Sequence, residues 1–545
     1  MVSIKNAFWS CFLTGLFLIN FCYGKPLEVK PIKVDVCIYG GTAAGVIAAV
    51  QLAKLGHNVI IIEPGRHVGG IAVDGLGGTD INNHREFKND GAVGGMSLEF
   101  YQKVADHYGI ENFLDKRIDP ANWRFESSVA DSIYDSWLAL YDIPVYYETE
   151  IIFDFEAVEK EGNVLKRIKM DNGLQVEAKY FMDASIEGDL LHYSGISTFI
   201  GRESNALYKE TKNGIRAENT FAQFKVKVDP YKSPGNPKSG LIPTIFDEPI
   251  GKAGSEDKRL QAYCFRVCLT QDTSNMVPIP KPENYDPGQY EIYLRYFEAG
   301  GSAHVPRANL PNGKTDFNGG GDLSHNLYGY SHEYPGGSKQ KRAEIYDYHK
   351  NFTQGLFYFL SNDPKVPGDI RNRWSSWGLC KDEFVDNGHW PRKLYVRDAR
   401  RMVSDYVITE HHTRKVDPEP VEDPVGVAYW PPDVHHVRRI VKDGYAYNEG
   451  FVFGGDEWLP FGISYRSLVP KRKEATNIIT PTCPSSSHIA YGAIRIEWTF
   501  MVLGQSAALA LDLALKNDLA IQDVPYDQLK ETLLENNQIL ELKKM

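Results

Sequence analysis

The stretch from Val34 to Gly70 constrains this chain more than any other: an apolar run, a glycine-rich turn, a small-residue helix, a second apolar run and then an acid. Val34, Val36, Ile38 and Tyr39 form a run short enough for a central parallel strand. Gly40-Gly41-Thr42-Ala43-Ala44-Gly45 leads directly into a helix predicted over Val46 to Leu55, and Asn58 to Ile62 predicts the next strand, closed by Glu63. A helix N-terminus facing such a turn favours phosphate through its unpaired N–H groups and its dipole. A carboxylate ~20 residues beyond the turn is placed to accept hydrogen bonds from an adenosine ribose. The order therefore predicts a site for a dinucleotide pyrophosphate. The third motif position holds Thr42 instead of glycine; its Cβ keeps the backbone further from the phosphates, while its hydroxyl offers a donor to a phosphate oxygen.

Pro64 to Gly70 adds a second glycine-rich turn, for which a nicotinamide dinucleotide gives no reason. A flavin dinucleotide is longer and calls for a second loop between the adenosine end and the ring.

A chain of 545 residues exceeds one ordinary core, so two domains of unequal size are expected. With 60 basic against 71 acidic residues, a nucleic-acid partner would need a local patch, and none is predicted. Residues 1–24 have the pattern of a secretory leader: Lys5, the apolar Ala7 to Phe21, then Cys22 and Gly24 near the cleavage site. Export to the periplasm or beyond is expected, with no membrane span left after cleavage. Five cysteines remain, Cys37, Cys264, Cys268, Cys380 and Cys483, with no C-x-x-C. They are read as buried thiols. Neither a disulfide framework, an iron–sulfur cluster nor another metal site is predicted.

Five segments follow: the leader at 1–24, a first nucleotide-binding part at 33–200, an inserted substrate or cap domain at 201–462, a second nucleotide-binding part at 463–520, and a terminal helix within 521–545. The middle segment is rich in proline and aromatic residues and loses the strand–helix alternation. Strands are predicted at Pro144 to Tyr147, Ile151 to Phe155, Asn163 to Met170, Val176 to Met182 and Asn477 to Thr480. Helices are predicted at Trp123 to Tyr141, Lys341 to Leu360, Lys393 to Thr409, Ala493 to Leu515 and Pro525 to Leu542.

The chain resembles secreted bacterial FAD-dependent oxidoreductases of the FAD_oxidored group, within the glutathione-reductase and fumarate-reductase type of flavoprotein. The resemblance rests on G-G-T-A-A-G-V at Gly40 to Val46, E-P-G-R-H-V-G-G at Glu63 to Gly70 and D-A-S-I-E-G-D-L at Asp183 to Leu190. It continues in Q-A-Y-C-F-R-V-C-L-T at Gln261 to Thr270, Y-V-R-D-A-R-R-M at Tyr395 to Met402 and S-H-I-A-Y-G-A-I-R at Ser487 to Arg495. It implies an α/β fold in which a Rossmann-type FAD-binding domain is built from both chain ends around an inserted α+β cap domain. It further implies that Gly40, Gly41, Thr42, Ala43, Ala44 and Gly45 wrap the pyrophosphate and that Glu63 holds the ribose. Arg66, Gly69, Gly70 and Ile71 would line the next part of the cofactor, and the turn and helix around Gly492 and Arg495 would approach the ring. The segment Pro481 to Ser487 lacks the Gly-Asp pair that related flavoproteins place before their last helix.

For chemistry, His488 is the expected base, since an unperturbed imidazole titrates near neutrality. Arg397 and Arg400, with Arg401, are candidates for a carboxylate clamp, set against a solvated helix face. His436, beside His435, is a further candidate; adjacent histidines on a strand point to opposite sides, which argues against a metal pair. The expected activity is oxidation of a small organic substrate, a sugar or a carboxylated metabolite, with an electron acceptor the sequence does not name. Two alternatives stay open: a redox-neutral carbohydrate lyase or isomerase, and a noncatalytic binding protein.

Overall fold

The structure is a computed structural model that describes residues 30–84, 88–216, 218–219, 221–454 and 457–542. The expected leader, residues 1–24, lies outside the described residues.

The first strand, β1 (Ile32–Tyr39), is buried over its last four residues and is followed by α1 (Ala43–Lys54), whose residues Ala43 to Leu52 are all buried. Next come β2 (Val59–Ile62), the helices α2 (Gly95–His107) and α3 (Ser127–Leu140), and the short β3 (Val145–Tyr146). Then β4 (Val158–Glu161), β5 (Val164–Lys169) and β6 (Gln175–Asp183) complete the first part. These strands form one sheet in the order β3-β2-β1-β6-β5-β4. β1 runs parallel to both neighbours, and the register sets Tyr39 beside Ile62 on one side and Asp183 on the other. Three carboxyl ends thus finish level. In a parallel sheet ligands bind in the crevice beyond such ends, where connections leave in opposite directions.

The other chain end joins this sheet, since a strand at Ile478–Ile479 lies parallel to β6 beside Phe181 and Met182. The last long helix, Glu497–Asn517, is buried over most of its length and packs against α1. The contact is at backbone distance: a Cβ on Gly504 would lie 2.4 Å from the Ala44 carbonyl oxygen. That helix is long and apolar enough to cross a membrane, but 89% of its apolar window is buried inside the protein. Its hydrophobicity serves the core.

Between the two parts of the sheet lies a separate apolar cluster that includes Tyr263, Phe265, Tyr290, Phe317, Phe357 and Trp374. The longest helix, α4 (Lys339–Asn362), contributes to it and starts at a Ser338 N-cap whose hydroxyl accepts from the Lys341 N–H. The arrangement is the α/β architecture expected from the sequence: a Rossmann-type sheet assembled from both chain ends, with additional structure inserted between them.

Three expectations for local structure need correction. Lys393 to Thr409 is not a helix: it is extended, with a strand at Arg400–Met402 paired antiparallel to Thr198–Ile200. Arg397, Arg400 and Arg401 are each buried in a different direction, which one solvated helix face would not permit. Ile151 makes only a bridge to Met170, because the Asp154 carboxylate accepts the Glu156 N–H and turns the chain into a short 3-10 helix at Phe155–Ala157. The strands expected at Asn163 to Met170 and Val176 to Met182 are present as β5 and β6, and β6 carries this antiparallel pairing into the main sheet, with β4 extending it. The long C-terminal helix is two: α5 (His488–Ile494) and α6 (Glu497–Asn517), with extended backbone at Ile496 between them.

Replacing Gly504 with valine should force α6 away from α1 and destabilise the fold by about 1–3 kcal/mol. A lower midpoint in chemical denaturation would show this, and an unchanged midpoint would mean that the two helices do not meet.

Candidate active site

The turn after β1 is built by contact. Gly40 has φ +98°, a left-handed value suited to glycine, and a Cβ there would lie 2.5 Å from the Ser185 nitrogen. A Cβ on Gly45 would lie 2.2 Å from the Gly40 carbonyl oxygen, so α1 starts as close to the strand end as backbone allows. Thr42 is the N-cap of α1: its hydroxyl accepts the Gly45 N–H at 3.3 Å and donates to the Ala184 carbonyl at 2.7 Å. This corrects the expectation that the hydroxyl donates to phosphate. Threonine here caps the helix and ties it to the end of β6.

The second glycine turn closes over the first. Gly69 and Gly70 have φ of +102° and +61°, and the Gly69 N–H donates to the Gly41 carbonyl at 2.6 Å. Glu63, 1% exposed at the end of β2, locks both turns. Its Oε2 accepts the Gly41 N–H at 2.8 Å, and its Oε1 accepts the Gly65 N–H at 2.7 Å and the Lys393 ammonium at 2.8 Å. A carboxylate offers about four acceptor sites, so three bonds leave one for a ribose hydroxyl. Burial alone would lower the pKa of Lys393, but Glu63 holds it above its ordinary value and the ammonium stays charged. Nothing in the sequence near Lys393 marks this partnership, which crosses 330 positions.

The third strand end is fixed in the same way. Asp183 accepts the Ser185 N–H and hydroxyl on one oxygen and the Leu191 N–H on the other. Six residues on, Asp189 takes Arg342 at 2.6 and 2.7 Å and Arg400 at 2.6 Å. Two arginines of the inserted segment thus anchor the loop after β6.

A cavity of about 330 Å³ runs through these features. Glu63, Pro64 and Gly65 line it, as do Gly40, Thr42, Gly70 and Ile71 beside the start of α1, and Tyr395, Arg397, Tyr491, Arg495 and Glu497. The Tyr395 ring has the Arg397 guanidinium 4.8 Å and the Arg266 guanidinium 5.2 Å from its centroid, and its hydroxyl accepts from Arg495 at 2.9 Å. Asp316 grips Arg266 through both oxygens, at 2.6 and 2.5 Å. Among the described residues the hydrogen-bond partners of Arg397 are neutral: the Ala262 carbonyl, Asn318 and the Cys264 sulfur. Arg495 donates to the Asp433 carbonyl, with the Asp433 carboxylate 4.0 Å away. The Nε of Arg397 and of Arg495 are both buried and have no acceptor among the described residues.

Of the residues singled out in the sequence, Gly40, Thr42, Glu63, Gly70, Ile71, Arg397 and Arg495 line the cavity. Gly41, Ala43, Ala44, Gly45 and Gly69 support its wall without lining it. Arg66 is turned outward and pairs with Glu148 at the surface. Gly492 lies under Val434 and Asp433, where a Cβ would come within 2.9 Å of the valine side chain. Arg400 and His436 are buried elsewhere, Arg400 on Asp189 and His436 against Asn219 at 3.0 Å. Arg401 is bound to Glu203. His488 opens α5, off the cavity wall; its Nδ1 is 3.3 Å from Asp398 Oδ2, though not aligned for a hydrogen bond. Burial holds its pKa below the ordinary histidine value despite Asp398, so the ring is neutral at pH 7. Tyr395, Lys393 and Glu497 are among the wall residues that the sequence did not mark as site residues.

A parallel sheet with a doubled glycine turn and a buried acid at its second strand end defines a dinucleotide-binding α/β protein. The family described as FAD dependent oxidoreductase matches residues 35–533, and the chain belongs to it. A comparison with curated proteins gave no match. Among solved structures, L-proline dehydrogenase from P. horikoshii is similar at 18% identity, over 32% of this chain and 59% of that one, with a TM-score of 0.25. L-amino acid deaminase from Proteus vulgaris is similar at 15% identity, over 32% of this chain and 53% of that one, with a TM-score of 0.23. Thioredoxin reductase from T. acidophilum is similar at 18% identity, over 28% of this chain and 35% of that one, with a TM-score of 0.18. The matched part thus covers under two thirds of each of those chains.

The residues present fit FAD. The turns at Gly40 and Gly70 bring bare backbone to the wall, and Glu63 keeps a free acceptor position.

Glu63→Ala should lower FAD affinity at least about tenfold, since hydrogen bonds to a charged group contribute about 1.5–3 kcal/mol each. Fluorescence titration of the apoprotein reads this, and unchanged affinity would remove Glu63 from the cofactor site. Glu497 supplies a pH test. Burial, offset only in part by Lys393, pushes its pKa from an ordinary 4.5 to about 8. Between those values the native protein keeps a proton that the unfolded chain has lost, so stability falls as pH rises through the window. Glu497→Gln should flatten that slope in the apoprotein; an identical slope in the variant would contradict the assignment.

Proposed function

We propose that this enzyme is exported and removes hydride from a small carboxylated organic substrate, such as a sugar acid, delivering it to FAD. One observation carries the substrate class: Arg397 and Arg495 both line the cavity beside Tyr395, buried, with no carboxylate closer than 4.0 Å to Arg495 and only neutral partners on Arg397. Guanidinium groups are suited to carboxylates by their planar, bidentate geometry. An anion bound there is favoured both by direct hydrogen bonds and by relief of two poorly compensated buried cations.

Bound FAD supplies a two-electron acceptor. The chain's own residues supply the rest. Arg397 and Arg495 hold the carboxylate, and the Tyr395 ring, fixed by Arg495 at its hydroxyl and by guanidinium groups near its face, limits how the substrate lies. Arg397 and Arg495 are themselves buried, which strengthens their ionic contacts. The neutral ring of His488 is chemically suited to accept a proton, and it stands off the cavity wall. The Arg400 and His436 positions favour a structural part for both. Export rests on the leader pattern in residues 1–24; N-terminal sequencing of protein from the native host would exclude it by finding Met1 or Val2.

Anaerobic mixing with candidate sugar acids and other hydroxy or amino acids should bleach the flavin band, with neutral analogues far slower. Arg397→Met should lower kcat/KM for the acid by about tenfold to a hundredfold, the equivalent of roughly 1.5–3 kcal/mol, while flavin content holds. Equal rates for the acid and its neutral analogue would overturn the carboxylate reading. An unsaturated product formed without bleaching would replace oxidation by a lyase reaction. His488→Gln with an unaltered reductive half-reaction would remove the base.

A further inference from the structure

The inserted segment contains a small sheet in which Leu269–Thr270 pairs antiparallel with Gly378–Cys380. The register sets Leu379 opposite Leu269 and Gly378 opposite Thr270, and the same register places Cys380 opposite Cys268. Directly opposed residues of an antiparallel pair have Cα atoms about 4.5 or 5.5 Å apart. Both distances fall within the roughly 4.4–6.8 Å that a disulfide spans. The two Sγ atoms are 3.1 Å apart, closer than unbonded sulfur atoms rest against each other. Both residues are buried, and with Phe384 they form an apolar cluster of their own. The other three described cysteines lie differently: Cys37 is inside β1, Cys264 faces Asn318 and Arg397, and Cys483 faces the carbonyls of Ser185 and Ile186.

We infer that Cys268 and Cys380 form a disulfide in the working protein. No short-range pattern in the sequence points to it, because the partners are 112 positions apart. The reaction is a two-electron thiol–disulfide exchange: the two thiols give up two protons and two electrons, the S–S bond forms, and an external disulfide of the glutathione or protein-disulfide class is reduced to two thiols. Because both sulfurs end up buried, exchange takes place while the strands are coming together.

The bond has a structural consequence at the cofactor domain. Three residues beyond Cys380, the Glu383 carboxylate accepts the Ser128 N–H and hydroxyl at the start of α3. Lys314 Nζ joins Glu383 at 2.9 Å to Glu126 at 2.5 Å and Asp382 at 2.7 Å. A covalent link at Cys380 fixes the base of this buried ionic cluster and closes a loop of about a hundred residues, which restricts the unfolded chain.

The test is a peptide map of the full chain produced behind a heterologous leader in an oxidising compartment, alkylated in denaturant and digested without reductant. This choice of leader separates the disulfide from the proposal that the native leader works. A single linked peptide pair carrying Cys268 and Cys380 is expected, with Cys37, Cys264 and Cys483 alkylated. Recovery of Cys268 and Cys380 as alkylated free thiols would overturn the inference. As a second measurement, reductant should lower the unfolding temperature of the wild type to that of C268S/C380S, with C268S, C380S and the double variant alike. Additive losses in the single variants, or a wild type insensitive to reductant, would also overturn it.

Discussion

The close approach of α1 to the strand ends is the constraint from which the rest of the structure follows. A helix that presents its first N–H groups to an anion must start almost in contact with the sheet. Here that requires bare backbone on three sides: Gly40 against Ser185, Gly45 against the Gly40 carbonyl, and Gly504 of α6 against the Ala44 carbonyl. The last of these comes from the far end of the chain. The cofactor fold is therefore complete only once residues 478–517 have returned to the sheet that residues 32–183 began. Everything between is placed by that closure, including the inserted segment that supplies Lys393, Tyr395 and Arg397 to the cavity wall.

The cofactor half of the site was legible because its signals are local. A strand, a tight turn and a helix impose residue types within a span of about thirty positions, so glycine and acid spacing carry geometry directly. The inserted segment's share of the cavity wall was less legible for the opposite reason. Glu63 meets Lys393 across 330 positions and Arg266 meets Asp316 across 50, and no short-range pattern records either pair. Arg397, Arg400 and Arg401 have helical spacing, yet tertiary partners draw them to Ala262, Asp189 and Glu203 in turn. Tertiary burial here overrode periodicity, and the extended strand is what lets neighbouring arginines serve three different sites.

The break between α5 and α6 shows the same limit at one peptide unit. Neither Arg495 nor Ile496 is a helix breaker, so the sequence reads through them as one helix. In the fold the Arg495 side chain reaches the Tyr395 hydroxyl and the Asp433 carbonyl, and the backbone at Ile496 is extended. The interruption has two effects. It directs a guanidinium into the cavity, and it begins a fresh helix at Glu497, whose buried carboxyl therefore sits at the positive end of α6 and on the same wall.

Charge balance distinguishes the two halves of the cavity. At the end of β2 Glu63 and Lys393 neutralise each other, and at the β6 loop Asp189 is matched by Arg342 and Arg400. Around Tyr395 the matching is incomplete: Arg266 has Asp316, whereas Arg397 has neutral acceptors and Arg495 a carboxylate only at 4.0 Å. An uncompensated buried cation is costly to the fold, and removing it would relieve that cost. On the proposed reading, stability and function are opposed at Arg397 and Arg495. A methionine at position 397 would suit the buried environment better than arginine does, yet would remove the group suited to a carboxylate. Retaining two such arginines on a wall otherwise built of aromatic rings makes sense where an anion completes the charge balance, and this sets the ring end of the cavity apart from a core that merely failed to exclude polar residues.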